Sequence, residues 1–150
     1  VAERCADRLL VVDPVLVATS GAVLGSADVA AAYREHLLPV ATVATPNEDE
    51  FEALGRPDLR GVIVTRGGPV PTTNDHGTGC THSSALAAHL ALGADIATAA
   101  DRAASYVTTQ LTLGKDWTLG RGRGPVAHIH SPTQAPTQAP TPAPTQGEIA

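Results

Sequence analysis

The segment Asp75-His76-Gly77-Thr78-Gly79-Cys80-Thr81 runs straight into an Ala-rich stretch with helical character. Consecutive main-chain N–H groups at a helix start converge on one point, and the helix dipole favours negative charge there. Glycine at 77 and 79 lets a phosphate or a transition-state oxyanion come up against the backbone. Cys80 falls in the first helical turn, where a thiolate is favoured and can take a proton from a substrate hydroxyl. The same residues also read as a glycine-rich cap on a packed helix, with Cys80 a small buried hydrophobe.

Three further clusters carry polar chemistry. Asp13 follows an apolar run and is fixed by Pro14. It reads as a carboxylate near metal-bound phosphates, or as a plain turn residue. Thr45-Pro46-Asn47-Glu48-Asp49-Glu50 places five polar side chains together, with Asn47 and Glu50 three apart and so on one helix face. Glu50 can hold a Mg²⁺-bound water and Asn47 can orient phosphate oxygens; the bland alternative is a capping box. Thr65-Arg66-Gly67-Gly68 offers a hydroxyl, a cation and yielding backbone to nucleotide phosphates, or makes a simple strand-to-loop turn. Arg121 and Arg123, set among Gly120, Gly122 and Gly124, have the look of a phosphate nest, but such turns are common. The six histidines show no metal-ligand spacing beyond His128-x-His130, which reads as surface.

Short strands alternating with helices would bring these clusters together. Leu9–Val12, Val40–Thr45 and Val62–Thr65 read as strands. Helices are expected over Ala27–Leu38 (Ser26 as cap, Val29, Ala32, Tyr33 and Leu37 as apolar stripe, Pro39 as stop), from Asn47 to Gly55 with Phe51 and Leu54 as its apolar face, from the HGTG turn to about Leu92, and over Ile96–Leu113. This pattern predicts an α/β fold with a mostly parallel sheet flanked by helices. Ligands in such folds bind beyond the carboxyl ends of the strands, where Asp13, Thr45–Glu50 and Thr65–Gly68 stand.

Composition narrows the classes. The 150 residues fit one domain, 43% are hydrophobic, only 3% are aromatic and 26 are alanine, so the core is aliphatic and close-packed. Net charge is −5, and nine Arg and one Lys are scattered without a basic stripe, which argues against nucleic acid as a partner. No apolar run is long enough for a membrane span, and the opening VAERCADRLL lacks an apolar leader. Cys5 and Cys80 make no disulfide framework, so a cytoplasmic protein with reduced thiols is expected. Pro, Thr and Gln fill 12 of the 20 positions from Ser131 to Ala150. The expected organisation is therefore a domain over 1–130 and a disordered tail over 131–150.

Taken in order, DPVLVATSGAVL (13–24), LLPVATVATPNEDEFEALG (37–55), TRGG (65–68), NDHGTGCTHSSALAAHLALG (74–93) and GRGPVAHIH (122–130) resemble the hydroxymethylpyrimidine/phosphomethylpyrimidine kinases of thiamine biosynthesis. These belong to the ribokinase-like (Rossmann-like) superfamily. The resemblance covers most of residues 7–130, and Cys80 in HGTGC marks this branch. It implies transfer of phosphate from ATP, with Mg²⁺, to a small pyrimidine alcohol and then to its monophosphate. It gives Gly77, Thr78, Gly79 and Cys80 the anion hole, Cys80 the role of base, Asp13 and Glu50 the metal and phosphates, and Asn47, Thr65, Arg66 and Gly68 the nucleotide. Val15 would line the pyrimidine pocket.

The chain also departs from that pattern. Family members are longer, with N-terminal strands and a glycine-rich substrate floor that have no counterpart here. The connections from Leu54 to Val62 and from Gly68 to Asn74 are short. Asp75 stands where Thr is usual, and Arg66 where Lys is. A partial ribokinase-like sheet with an open edge is therefore expected, satisfied by a homodimer or by a complementary N-terminal segment. The alternative function is a non-catalytic remnant that binds nucleotide.

Overall fold

The computed structural model describes residue 4 and residues 7–18, 22–59 and 61–128. Cys5, His130 and the expected tail at 131–150 lie outside the described residues.

Two parallel strands, β1 (Val11–Val12) and β2 (Val43–Ala44), pair in the register Val11↔Val43 and Val12↔Ala44. Residues 61–65 run parallel along the far side of β2 through isolated bridges at Ala44↔Val62 and Asn47↔Thr65. The expected strands are thus shorter than their apolar runs. Leu9 and Leu10 precede β1, Val40 belongs to a tight turn, and 62–65 joins by bridges alone. Proline explains much of this shortening. Ile63 donates to the Ala44 carbonyl (2.9 Å) and Thr65 to the Pro46 carbonyl (2.8 Å), but residue 46 has no N–H to make the bond between them. Pro14 likewise cannot supply a donor after β1.

Alternation along the strands divides the core into two layers. Val12 and Ala44 pack with Leu16, Ala30, Leu38 and Leu54 on one face. Val43, with Val11 beside it, packs with Leu86, Leu90, Ala99 and Ala103 on the other. The first face is covered by α1 (Ala27–Ala32), which widens into a π-helical turn (Tyr33–Leu37) and ends in a 3₁₀ turn (Leu38–Val40) containing Pro39. The expected helix over 27–38 therefore breaks into three pieces. Ser26 occupies the cap position without a side-chain cap bond. Of the expected stripe, Tyr33 and Leu37 pack against the core, whereas Ala32 is exposed and Val29 is 40% exposed, and Ala30 is buried in their place.

The remaining helices form close to where the sequence puts them. In α2 (Glu48–Ala53) the cap at Asn47 and the stop at Gly55 (φ 76°) are both present, and Leu54 is buried beneath it. Helices α3 (Thr78–Ala91) and α4 (Ile96–Gly114) pack against each other and cover the second sheet face. Asp95, unassigned from the sequence, caps α4 by accepting the Thr98 N–H at 2.9 Å. Among the described residues no helix is long and apolar enough to cross a membrane.

Candidate active site

Gly77 makes the turn into α3 at φ 88°, a left-handed conformation that favours glycine. The Thr78 N–H turns back to the Asp75 carbonyl (3.1 Å), and the Thr81 N–H and hydroxyl both bond the Gly77 carbonyl (2.9 and 2.7 Å). Among the described residues, the N–H groups of Gly79 and Cys80 find no main-chain acceptor, as expected for a first helical turn. A Cβ built on Gly77 or Gly79 meets nothing within 4 Å, so this stretch of backbone is bare on its outer side. Cys80 is exposed, which removes the reading of it as a buried hydrophobe.

The loop that delivers this turn is tied to the end of the described chain. Asn74, 5% exposed, donates through Nδ2 to the carbonyls of Gly114 (2.7 Å), Lys115 (3.2 Å) and Trp117 (2.8 Å). Gly124 lies so close that a Cβ there would stand 1.9 Å from Asn74 Oδ1. His76 donates to the Gly124 carbonyl and accepts from the Val126 N–H, both at 3.0 Å. The Arg123 guanidinium grips the Asp75 carboxylate through two contacts, Nε to Oδ1 at 2.7 Å and Nη2 to Oδ2. Arg123 is thus paired with a carboxylate, contrary to its reading within an open phosphate nest. His128, read as surface, is exposed but meets Thr81 Oγ1 through Nε2 at 2.7 Å.

A cavity of about 460 Å³ joins the cradle to the carboxylates: Asp13, Val15, Thr45, Asn47, Glu50, Thr65, Arg66 and Gly77–Cys80 all line it. Asp13 is half-buried, and burial raises its carboxyl above the ordinary range, with the Ser83 hydroxyl opposing. Ser83, not singled out in the sequence, also meets Thr45 Oγ1 (2.8 Å) and donates to the Gly79 carbonyl (3.0 Å), linking β2 to the first turn of α3. Glu50 is 5% exposed. Its Oε1 accepts the Leu16 N–H (3.2 Å) and its Oε2 the Asn47 N–H (2.9 Å), while Asn47 Oδ1 accepts the Glu50 N–H (2.8 Å). The capping box is therefore complete, and Glu50 also pins the turn after Asp13. The Tyr33 phenol is raised by burial and then by the negative charges of Asp13 and Glu50.

Arg66 is exposed and paired with Glu48 at 3.2 Å. Gly68 does not line that cavity. It lines a neighbouring one of about 380 Å³ together with Ile63, Val64, His82, Val107 and Leu111, and the two cavities share Thr65, Arg66, Thr78 and Gly79. Burial lowers the imidazole of His82. On the other side of α3, Cys80 also borders a groove with Ala88, His89, Tyr106 and His128.

The sequence model of the phosphomethylpyrimidine kinase family matches residues 1–63 and 59–127. Its two pieces meet beside the short connection from Leu54 to Val62. The hydroxymethylpyrimidine/phosphomethylpyrimidine kinase of Rhizobium meliloti (strain 1021) is 36% identical over 161 residues, taking in 80% of this chain and 60% of that protein. Among solved structures, pyridoxal kinase from Staphylococcus aureus in complex with AMP-PCP superposes with a TM-score of 0.66 at 28% identity, over 80% of this chain and 57% of that one. Phosphomethylpyrimidine kinase from Clostridium difficile 630 gives a TM-score of 0.53 at 26% identity, over 67% of this chain and 56% of that one. The chain thus spans less than two thirds of the length of each of these relatives. A family match across nearly all of residues 1–127, on a pyridoxal-kinase-like arrangement of parallel strands and helices, makes this chain a member of the phosphomethylpyrimidine kinase family.

Proposed function

We propose that this chain carries the phosphate-handling part of an ATP-dependent kinase for hydroxymethylpyrimidine and its monophosphate. The observation that carries the reading is the pair of N–H groups at Gly79 and Cys80, without a hydrogen-bond acceptor among the described residues, at a cavity that Asp13 also lines. Phosphoryl transfer of this kind rests on positioning and charge stabilisation more than on covalent steps. The amides of Gly79 and Cys80 would receive the oxygens of the transferred phosphoryl group. Cys80, exposed at the same turn, would take the hydroxyl proton as the substrate oxygen bonds to the γ-phosphorus and ADP departs. Arg66, held by Glu48 at an exposed site, is free to turn to the phosphates, since such surface pairs are weak. Val15 lines the cavity as an apolar contact for a ring. Gly68 and the apolar residues around it suit the nucleoside end of ATP.

The donor set suits a Mg²⁺ ion brought in on phosphates. Among the described residues no three His, Cys, Asp or Glu side chains cluster to hold a metal by themselves. Mg²⁺ typically takes one or two carboxylates and fills its shell with phosphate oxygens and water. Asp13 supplies such a carboxylate. Glu50, with each oxygen already accepting a main-chain N–H, would reach the ion through water. When bound, the ion would neutralise phosphate charge.

A second reading, nucleotide binding without turnover, is favoured by the polar groups of the site, which serve the phosphate side. A coupled ADP-release assay with hydroxymethylpyrimidine and MgATP separates the two. Turnover by the wild type, reduced about a hundredfold or more in Cys80→Ala with unchanged MgATP affinity, supports the kinase. Thermal stabilisation by MgATP with no turnover supports the second reading, and absence of both rejects the site.

A further inference from the structure

Asp75 is out of place for a site that holds phosphate. It lines the cavity shared by Gly79, Cys80 and Asp13, two residues before Gly77, and a bare carboxylate there would oppose every incoming anion. Arg123 is not among the cavity-lining residues, yet both of its carboxylate-facing nitrogens are committed to Asp75. The backbone sets this meeting. Residues 76 and 125 are bridged in parallel, and the His76–Gly124 and Val126–His76 bonds hold the two segments side by side. The glycines at 120 and 122, at φ 118° and 106°, make the turn that returns Arg123 to the loop.

We propose that Arg123 is a positioning residue of the phosphate site that acts through Asp75, cancelling a carboxylate at the edge of the anion cradle so that the amides of Gly79 and Cys80 meet phosphate without local repulsion. Arg123 works from behind Asp75 rather than by touching phosphate. The inference rests on the nucleotide-site reading given above and adds a residue to it.

Calorimetric titration of the chain with MgATP tests it, with thermal melts confirming that each variant folds. Arg123→Ala should weaken MgATP about tenfold, and the loss should shrink as salt is raised. Arg123→Lys, which keeps the charge without the planar fork, should retain most of the affinity. Asp75→Asn placed in the Arg123→Ala chain should restore it, because the repelling charge is gone. Unchanged affinity in Arg123→Ala overturns the inference. So does a loss that Asp75→Asn fails to restore, which would mean that Arg123 either touches phosphate or holds the loop. An Arg123→Lys variant as weak as Arg123→Ala overturns it too. A wild-type chain that binds no MgATP overturns the site assignment itself, and this inference falls with it.

Discussion

Gly79 and Asp13 show how single side chains, or their absence, set the chemistry. The backbone at 79 is helical and unhindered, and valine is no poorer a helix former than glycine, so a valine there costs the fold little. Its methyls would stand in the space meant for phosphate. Gly79→Val should keep its melting temperature nearly unchanged yet lose MgATP affinity about a hundredfold, by analogy with removal of a preorganised oxyanion donor; calorimetry that finds equal affinity removes the cradle. Asp13 makes the opposite kind of prediction. Its carboxyl is raised by burial, so the folded state holds the proton more tightly than the unfolded chain does. That stabilising linkage is complete below the ordinary carboxylate value of about 3.9 and disappears as pH rises through the raised folded value. At neutral pH the ionised group is therefore a burden on the fold. Asp13→Asn should melt higher than the wild type at pH 7, with the difference closing as pH approaches 3, and should lose turnover. A variant that melts lower at pH 7 would show that Asp13 holds structure instead.

Glu50 joins two elements, which gives it a stability role separable from catalysis. It caps α2 and at the same time accepts the Leu16 N–H across 34 residues. Glu50→Ala leaves two main-chain donors without their acceptor and should cost about 2 kcal/mol, read as a lower urea midpoint at constant slope. A variant with an unchanged midpoint but no turnover would place Glu50 in the chemistry. The local half of this arrangement was legible in the sequence, because a capping box needs only residues 47 and 50. The long-range half was not: nothing near Glu50 names Leu16. The same division runs through the fold. Helices α2, α3 and α4 follow from caps, glycine stops and periodicity, all short-range signals. The strands came out shorter than their apolar runs because Pro14 and Pro46 interrupt the ladder, and α1 turned Ala30 rather than Val29 inward, a choice of face that hydrophobicity alone does not settle. Asn74 and Ser83 were overlooked for one reason. Each satisfies partners on distant segments, Gly114 and Trp117 for the first and Thr45 for the second, so their types look ordinary in sequence.

The described sheet is narrow, and its open edge gives a prediction about how the chain behaves in solution. β2 is bordered on both sides, by β1 and by residues 61–65, whereas β1 has β2 as its only strand neighbour among the described residues. Unpaired N–H and C=O groups along such an edge are a template for another strand. Exposed apolar residues flank β1 in the chain, Leu9 at 59% before it and Val17 at 46% after it, with Val23 at 75% and Leu24 at 60% further on. Exposed apolar side chains beside an open edge favour association, and a two-fold pairing would set two copies of β1 side by side, with the same surface used by both. The chain should therefore elute as a concentration-dependent dimer, its mass followed by light scattering across a dilution series. Leu9→Lys and Val23→Lys should shift it toward monomer, since a lysine at an edge opposes strand addition; neither residue itself lines the cavity, although Val23 is bridged to Val17, which does. MgATP affinity should survive in both variants because the cradle at 77–80 lies on α3 rather than on β1. A wild type that stays monomeric across the series would mean that the β1 edge does not recruit a second copy, and a dimer unmoved by either lysine would place the contact elsewhere, with the exposed Leu92, Leu113 and Leu119 of the opposite layer the next residues to change.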